Sequence, residues 1–356
     1  MRAQNTTPSW GPQQINMLKG VFIFLIVVGH NPIISSSVSG LHSSLYNFHV
    51  QAFFILPFLF PTKCLSLRWL LDRAVRYLVP YITWVSIAAI LYCVVGLYVG
   101  DDLSWGVKLI KGVAIGSAPA LKAACGLQLY WFLPALMVLT VLRSALSQAS
   151  KGFYLGWVIF TFLVLMLIGR VDAVLVYWQV WSCLTVVALW PICLLAVKLH
   201  QIMLSKSAWI SLMFGASGLA IALSFIGTSE YSVNVAALKF ITILEPLAFI
   251  GQVMAPVASF IVVVGLTRVF RKSWVLEMLG KNSLLIYLSH TLFFYFFVAV
   301  HHVLLGEIEM SLRLGVCFLL LTLGASLLLA FIITRVEPLR RFFMPRSWND
   351  LKGEKK

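Results

Sequence analysis

The sequence is poor in charged side chains, and poorest in acidic ones. Only 11% of the 356 residues are charged, and 12 Asp and Glu stand against 27 Lys and Arg, for a formal net charge of +15. A soluble globular protein carries about 25% charged residues, because it must cover its surface with them. This shortage of charge excludes an ordinary soluble domain.

Several motifs of soluble enzymes are missing as well. There is no glycine-rich phosphate loop, no HExxH motif and no nucleophile elbow. The six cysteines lie mostly within apolar runs and lack CxxC or other metal-ligand spacing, so we interpret them as packing residues and expect no metal site. No repeat of fixed period and no appended soluble domain is visible. The sequence therefore predicts one membrane domain over residues 1–356, with a short cytoplasmic segment at 1–16 and a basic tail at 335–356.

What the chain has in abundance is apolar sequence. Hydrophobic residues make up 61% of it, in long blocks such as residues 21–28 and 82–95. About 20 consecutive apolar residues are enough to cross a bilayer as a helix. The predicted fold class is therefore all-α, a polytopic transmembrane helix bundle. About ten spans are predicted, near residues 18–38, 46–60, 77–99, 128–146, 153–169, 174–197, 208–227, 246–267, 283–304 and 311–334.

The loops between these spans alternate in charge. Basic loops lie near residues 63–76, 143–151, 198–206 and 268–281 and in the tail, whereas acidic residues mark the others: Asp101, Asp102, Asp172, Glu230, Glu307 and Glu309. Basic loops stay in the cytoplasm, so both termini are predicted to be cytoplasmic. The same rule accounts for the positive net charge, so binding to nucleic acid is not needed to explain it. Lys108, Lys111 and Lys122 are exceptions on the outer side, where residues 103–116 are predicted to form an amphipathic helix at the membrane interface.

Ionisable residues inside spans are costly and tend to mark sites or pathways. His30 lies in the outer part of the first span and Lys19 eleven residues earlier, about three helical turns and ~16 Å away, so both face one stripe of the helix. An imidazole can accept a proton near neutral pH. The alternative is a histidine bonded to a neighbouring helix, with Lys19 marking the cytoplasmic end.

Two further histidines lie in predicted spans. His290 lies ~12 Å along its helix from Asn282, within about 6 Å of the depth of His30, so the two are candidates for one cavity. They are equally compatible with unrelated positions. His49 begins the second predicted span, where a structural role at the interface is also plausible.

Arg73 and Arg76 are three residues apart on the approach to the third span, so they face the same way. Paired guanidinium groups suit phosphates because each offers a planar fork of donors. The alternative is that they simply anchor the cytoplasmic end of the helix.

Taken in order along the chain, these residues carry a family resemblance. The sequence resembles the integral-membrane acyltransferase type three family, and in particular its fucose-4-O-acetylase-like branch. The similar motifs are INMLKG at 15–20, VVGH at 27–30, YNFHV at 46–50, RAVR at 73–76 with LVPY at 78–81, LYWFLPAL at 129–136, and GKNSL at 280–284 with YLSH at 287–290. Asn16 stands where the family often has Asp, Gln51 replaces a frequent Pro, and residues 56–57 replace the usual Ser-Gly, which bears mainly on the surroundings of His49.

The resemblance implies an O-acetyltransferase in a bacterial inner membrane. Acetyl-CoA would be the cytoplasmic donor, and the acceptor would be a glycan, possibly lipid-linked, such as O-antigen or exopolysaccharide. It implies His30 and His290 as catalytic residues, Lys19, Arg73 and Arg76 as ligands of the donor phosphates, and His49 and Trp131 as acceptor-binding residues. A sugar hydroxyl is a poor nucleophile, so a histidine base suits this chemistry.

Two other classes of function remain open at this stage. A proton-coupled secondary transporter of a small polar or glycan-related solute would use His30 and His290 as a proton relay, and it would show inverted repeats or paired broken helices. A non-catalytic membrane scaffold would need neither the Lys19–His30 stripe nor the paired arginines.

Overall fold

The computed structural model describes residues 11–99, 105–227, 229, 233–306 and 311–353. Over these residues the chain is helical and contains no β-strand. The helices are α1 (Pro12–Gly29), α2 (Pro32–Ser37), α3 (Leu41–Tyr46), α4 (His49–Ile55), α5 (Leu67–Val99), α6 (Trp105–Ile115), α7 (Ala118–Cys125), α8 (Phe132–Leu146), α9 (Lys151–Leu167), α10 (Ala173–Trp178), α11 (Cys183–Leu204), α12 (Ala208–Ile226), α13 (Pro246–Val269), α14 (Trp274–Lys281), α15 (Ser283–Leu305), α16 (Leu312–Arg335), α17 (Glu337–Phe343) and α18 (Trp348–Lys352).

The predicted all-α class is confirmed. Eight helical segments in the described part of the chain are long and apolar enough to cross a membrane: Pro12–Gly29, Leu67–Val94, Leu129–Leu146, Val180–Leu204, Ala208–Ile226, Pro246–Val269, Ser283–Leu305 and Leu312–Arg335. Helix α9, at 17 residues, is apolar but shorter. The total of ten spans and the cytoplasmic termini stay predictions. Of the acidic residues used for the topology, Asp101, Asp102, Glu230, Glu307 and Glu309 lie outside the described residues.

Three predicted spans differ in detail from the structure. The segment at 46–60 is not one helix, because α4 has seven residues and gives way to a 3-10 turn at Leu56–Leu59 that contains Pro57. The first span ends at Gly29 rather than near residue 38, because the residue before a proline is disfavoured in the helical conformation and Asn31 precedes Pro32. The span at 174–197 is interrupted between α10 and α11 by a 3-10 turn at Val180–Ser182.

The chain packs as two units. The first comprises Met1–Leu59, Ile192–Val233 and Leu244–Ala330, and its core includes Phe22 of α1, which packs against Phe53 of α4 and Phe260 of α13 with ring centroids 5.8 and 6.2 Å apart. The second comprises Phe60–Pro191, Asn234–Ile243 and Phe331–Lys356. The sequence prediction of a single membrane domain stays a prediction.

In the second unit the predicted basic tail forms α17 and α18, which pack on α5. Arg340 holds Asp350 through two hydrogen bonds of 2.6 and 2.7 Å and keeps the pKa of this carboxyl low, at about 2. Trp348 N donates to Asp72 of α5 at 2.8 Å. The predicted interfacial helix at 103–116 is found as α6 over the described residues 105–115; its place at the interface stays a prediction.

In the first unit, α1 and α14 approach each other through two glycines. A Cβ on Gly20 of α1 would lie 2.0 Å from the carbonyl oxygen of Leu276, and one on Gly280 of α14 would lie 1.6 Å from that of Asn16. Small residues of this kind let membrane helices come into backbone contact. The contact fixes α1, which carries Lys19 and leads to His30.

We therefore expect Gly280→Ala to destabilise the protein, because backbone cannot yield to the added methyl group as a flexible side chain can. Overpacking of this kind costs about 1–3 kcal/mol, measured here as a lower thermal unfolding temperature. Gly324→Ala in α16 is the matched control, since no atom lies within 4 Å of its Cβ position. Equal unfolding temperatures for the two variants would contradict the close approach of α1 and α14.

Candidate active site

Three histidines from different helices meet in the first unit. His30 follows the last residue of α1, His49 begins α4, and His290 lies within α15. The ring centroid of His30 lies 5.2 Å from that of His290 and 5.9 Å from that of His49, each pair close to edge-on. His49 and His290 are buried, at 0% and 1% exposure. The structure thus brings together three of the residues singled out from the sequence.

Each imidazole is oriented in the same way. The Nδ1 atom of His30 bonds the carbonyl oxygen of Ile26 at 2.8 Å, that of His49 bonds the carbonyl of Leu45, and that of His290 bonds the carbonyls of Tyr287 and Ile286 at 2.7 and 3.0 Å. A carbonyl oxygen only accepts hydrogen bonds, so Nδ1 must carry the hydrogen. In the neutral ring Nε2 then keeps a lone pair, which makes it the basic atom.

The Nε2 atoms have different surroundings. The Nε2 of His290 accepts a hydrogen bond from Thr291 Oγ1 at 3.2 Å. The Nε2 of His49 is buried and has no hydrogen-bond partner among the residues that the structure describes. A buried acceptor without a partner is unfavourable, so this atom is available to accept a hydrogen bond from a bound water or ligand.

One edge of this cluster leads outward through two side chains of α3. Tyr46 is half-buried, with its ring centroid 4.9 Å from that of His49 and 5.7 Å from that of His30. His42 is exposed and lies against Tyr46, with centroids 4.1 Å apart. Sequence analysis missed both residues, although His42, Tyr46 and His49 are spaced by four and three residues.

His30 is positioned by the residue that follows it. Asn31 is 1% exposed, and its Oδ1 caps α2 by accepting from the backbone N–H groups of Ile33 and Ile34 at 3.1 Å each. Its Nδ2 donates to the carbonyl oxygen of Gly315 in α16 at 2.8 Å. One side chain therefore joins the end of α1, the start of α2 and a distant helix. The Asn-Pro pair was the available signal in the sequence.

Asn31→Asp separates the two roles of this side chain. An aspartate still caps α2, but it sets an oxygen against the carbonyl of Gly315 in place of a donor. We expect kcat to fall about tenfold to a hundredfold through displacement of His30, with the donor KM nearly unchanged. Asn349→Asp adds the same charge in the C-terminal tail as a control. The stoichiometry of donor binding reports the fraction of folded protein. If it falls as much as kcat does, Asn31 contributes only to folding.

Lys19 is half-buried within α1, so the stripe predicted with His30 extends to the end of that helix. The predicted arginines belong to the second unit, near the start of α5. Arg76 is exposed, and Arg73 is half-buried with its guanidinium 5.3 Å from the ring centroid of Trp69. Trp131, also in the second unit, is buried in a 3-10 turn before α8. The binding roles assigned to these residues stay predictions.

Among the residues that the structure describes, no group of three or more His, Cys, Asp or Glu could hold a metal ion. All six cysteines are free. The groups that the cluster brings together are three imidazole rings and the ring of Tyr46.

The family model described as an acyltransferase domain, of type three, matches residues 13–335. The chain belongs to the acyltransferase type three family. No curated protein is similar enough to count as a match. The match covers both packing units and contains the three histidines, Lys19, both arginines and Trp131.

Family membership decides the class of function. The protein is a membrane acyltransferase, which favours an enzyme over the transporter and the scaffold that the sequence left open. The fucose-4-O-acetylase-like branch stays a prediction.

Proposed function

We propose that the protein transfers an acetyl group from cytoplasmic acetyl-CoA to a hydroxyl of a cell-surface or lipid-linked glycan. The observation that carries the proposal is the cluster of His30, His49 and His290, in which each Nδ1 is held by a carbonyl and each Nε2 is left as the basic atom. An acyltransferase needs such a base because a hydroxyl at neutral pH is a weak nucleophile.

The transfer step uses one lone pair on His30. The hydroxyl oxygen bonds to the thioester carbonyl carbon, its proton passes to Nε2 of His30, the carbon–sulfur bond breaks, and the CoA thiolate takes up a proton. If His30 instead carries the acetyl group first, the same lone pair attacks the thioester carbon and the CoA thiolate leaves. The acceptor hydroxyl then attacks the acyl-imidazole, the nitrogen–carbon bond to Nε2 breaks, and the hydroxyl proton passes to the thiolate. His290, 5.2 Å away between ring centroids, is the second catalytic residue in the proposal, as a group that orients the reactants or binds the acceptor.

The residues proposed to bind the donor and the acceptor are chosen by their charge and their hydrogen bonding. Lys19, Arg73 and Arg76 are proposed to bind the phosphates of CoA, because phosphate sites in proteins are built from cations. His49 is proposed to meet the acceptor, since its Nε2 accepts from no described group and a sugar hydroxyl is a donor. Trp131 is retained as an acceptor-side residue on the family resemblance alone.

The membrane is proposed to be the bacterial inner membrane, with acetyl-CoA on its cytoplasmic face. Reporter fusions test the underlying topology: a reporter at Asp172 and one at Lys356 are expected on opposite sides of the membrane. The alternation of basic and acidic loops is the reason for this expectation. Two reporters on the same side would show that the topology is wrong.

The function is tested with purified protein in lipid nanodiscs. Acetyl-CoA is supplied with the methyl glycosides of glucose, galactose, rhamnose and N-acetylglucosamine, and both the CoA thiol released and the acetylated glycoside are measured. We expect CoA release to depend on a glycoside, with one acetyl ester formed for each CoA. Binding of acetyl-CoA without transfer to any glycoside would contradict the glycan acceptor.

A further inference from the structure

The second unit contains a break in a predicted membrane span that the proposed chemistry does not use. Helix α10 ends at Trp178, Gln179 is extended, and α11 begins at Cys183. Between them Trp181 and Ser182 adopt φ angles of 50° and 53°, in the left-handed region that side chains other than glycine rarely occupy. Such conformations persist only where the surroundings impose them, and they cluster at binding sites.

The break leaves polar atoms buried without partners. Ser182 is 0% exposed and Gln179 is 2% exposed. Neither Ser182 Oγ nor Gln179 Nε2 has a hydrogen-bond partner among the described residues, although Gln179 Oε1 accepts from Thr185 Oγ1 at 3.2 Å. In a membrane protein irregular backbone is tolerated where it is buried in protein or lines a water-filled cavity. Discontinuous helices form the substrate sites of many membrane proteins.

The loop after α6 fixes one side of the break. Gly116 has a φ of 64°, and a Cβ there would lie 2.8 Å from Trp181 Cδ1 and 3.3 Å from the hydroxyl of Tyr81. The next residue, Ser117, donates from Oγ to the carbonyl of Tyr177 at 2.6 Å. The half-buried ring of Trp181 therefore lies against the loop that contains Gly116.

The chemistry of these groups selects a class of ligand. An amide N–H₂, a hydroxyl and an indole ring are all uncharged, whereas a site for a phosphate or carboxylate would hold cations. Hydroxyl groups on a ligand can pair with the amide and the serine, and an apolar face can pack on the indole. A sugar ring offers both. The predicted topology also places the neighbouring Asp172 on the outer side, where a glycan acceptor is expected.

We propose that Gln179, Ser182 and Trp181 form a subsite that binds a sugar unit of the acceptor. This proposal rests on the proposed function, in which the acceptor is a glycan. It adds the residues that recognise that glycan. Sugar binding gives the two buried polar atoms the hydrogen-bond partners that the described part of the chain does not supply.

The unfolding temperatures of variants distinguish a sugar-binding role of these polar groups from a purely structural one. Removing a buried polar group that has no partner does not lower stability, whereas removing one that is satisfied does. Ser182→Ala is therefore expected to unfold at the wild-type temperature or above it, while it loses sugar affinity. Gln179→Leu also removes the hydrogen bond from Thr185 Oγ1, so for this variant the loss of sugar affinity is the diagnostic result. Thr185 keeps a partner in Gln179→Leu, because its hydroxyl also bonds the carbonyl of Val235 at 3.3 Å.

The experiment measures binding without acetyl-CoA, on the full chain in nanodiscs. The unfolding temperature is followed as the four methyl glycosides are titrated. At least one glycoside is expected to raise the unfolding temperature of the wild type. Ser182→Ala, Gln179→Leu and Trp181→Ala are each expected to lower the affinity for that glycoside about tenfold or more. Trp178→Ala is the matched control, because Trp178 precedes the break and is 56% exposed.

Each outcome bears on the subsite. Equal glycoside affinities in the wild type and the three variants would overturn it, as would the absence of any shift in the wild type. Lower unfolding temperatures with unchanged sugar affinity would assign the polar groups to buried water instead. Sugar binding without acetyl transfer would support the subsite and contradict the proposed function. Acetyl transfer with an unchanged acceptor KM in Ser182→Ala would support the proposed function and contradict the subsite.

Discussion

His30→Gln is expected to abolish acyl transfer while the protein remains folded in the membrane. Glutamine keeps a polar group at the end of α1, but it has no basic nitrogen. Loss of a general base commonly lowers the rate by about 10²–10⁴. The affinity for acetyl-CoA should change little, because His30 is proposed to act on the reacting groups and not on the phosphates. The measurement is acetyl transfer per molecule of protein that binds CoA.

His302→Gln provides the control for the loss of a histidine. His302 is exposed near the end of α15, the same helix that carries His290. Its replacement should leave transfer unchanged. Near-normal activity in His30→Gln would reduce His30 to a structural residue and would remove the base from the proposed mechanism. In that case His49 and His290, whose Nδ1 atoms are held in the same way, become the next candidates.

Replacing Arg73 and Arg76 together by Gln is expected to raise the donor KM strongly and to leave the fold intact. Both residues lie near the start of α5; Arg76 is exposed, and Arg73 is half-buried and loses its contact with the neighbouring ring of Trp69 within the same helix. Loss of two charge-assisted contacts to phosphate should cost roughly 2–5 kcal/mol of binding free energy if the site is partly desolvated. Titration of CoA by calorimetry measures the affinity directly and separates binding from transfer.

A second double variant controls for the general loss of positive charge. Arg346 and Lys352 belong to the tail on the same predicted side of the membrane, and Arg346 is exposed. Their joint replacement by Gln removes the same charge and should change CoA affinity only slightly. If the Arg73/Arg76 variant is folded and binds CoA as tightly as the wild type, these arginines only anchor α5 at the membrane and take no part in the donor site.

Much of the architecture could be predicted before any coordinates. Burying apolar helices in a bilayer depends on the sum of transfer free energies along a segment, so composition alone gave the all-α class and most of the long helices. The eleven-residue spacing of Lys19 and His30 fixed their common stripe, because helical geometry is regular. The ordered motifs between residues 15 and 290 pointed to the family to which the chain belongs.

The tertiary structure decided what depends on contacts between segments distant in sequence. Depth along a helix made His30 and His290 candidates for one site, but only packing shows them 5.2 Å apart between ring centroids and places His49 and Tyr46 beside them. The breaks at Pro57 and at Trp181 were hidden in apolar runs, because hydropathy does not distinguish a helix from a turn that neighbouring helices bury. In lipid the apolar surface of a helix gains little by facing one neighbour rather than another, so close packing and hydrogen bonds choose the partners. These contacts, and with them the geometry of the site, follow from the fold as a whole.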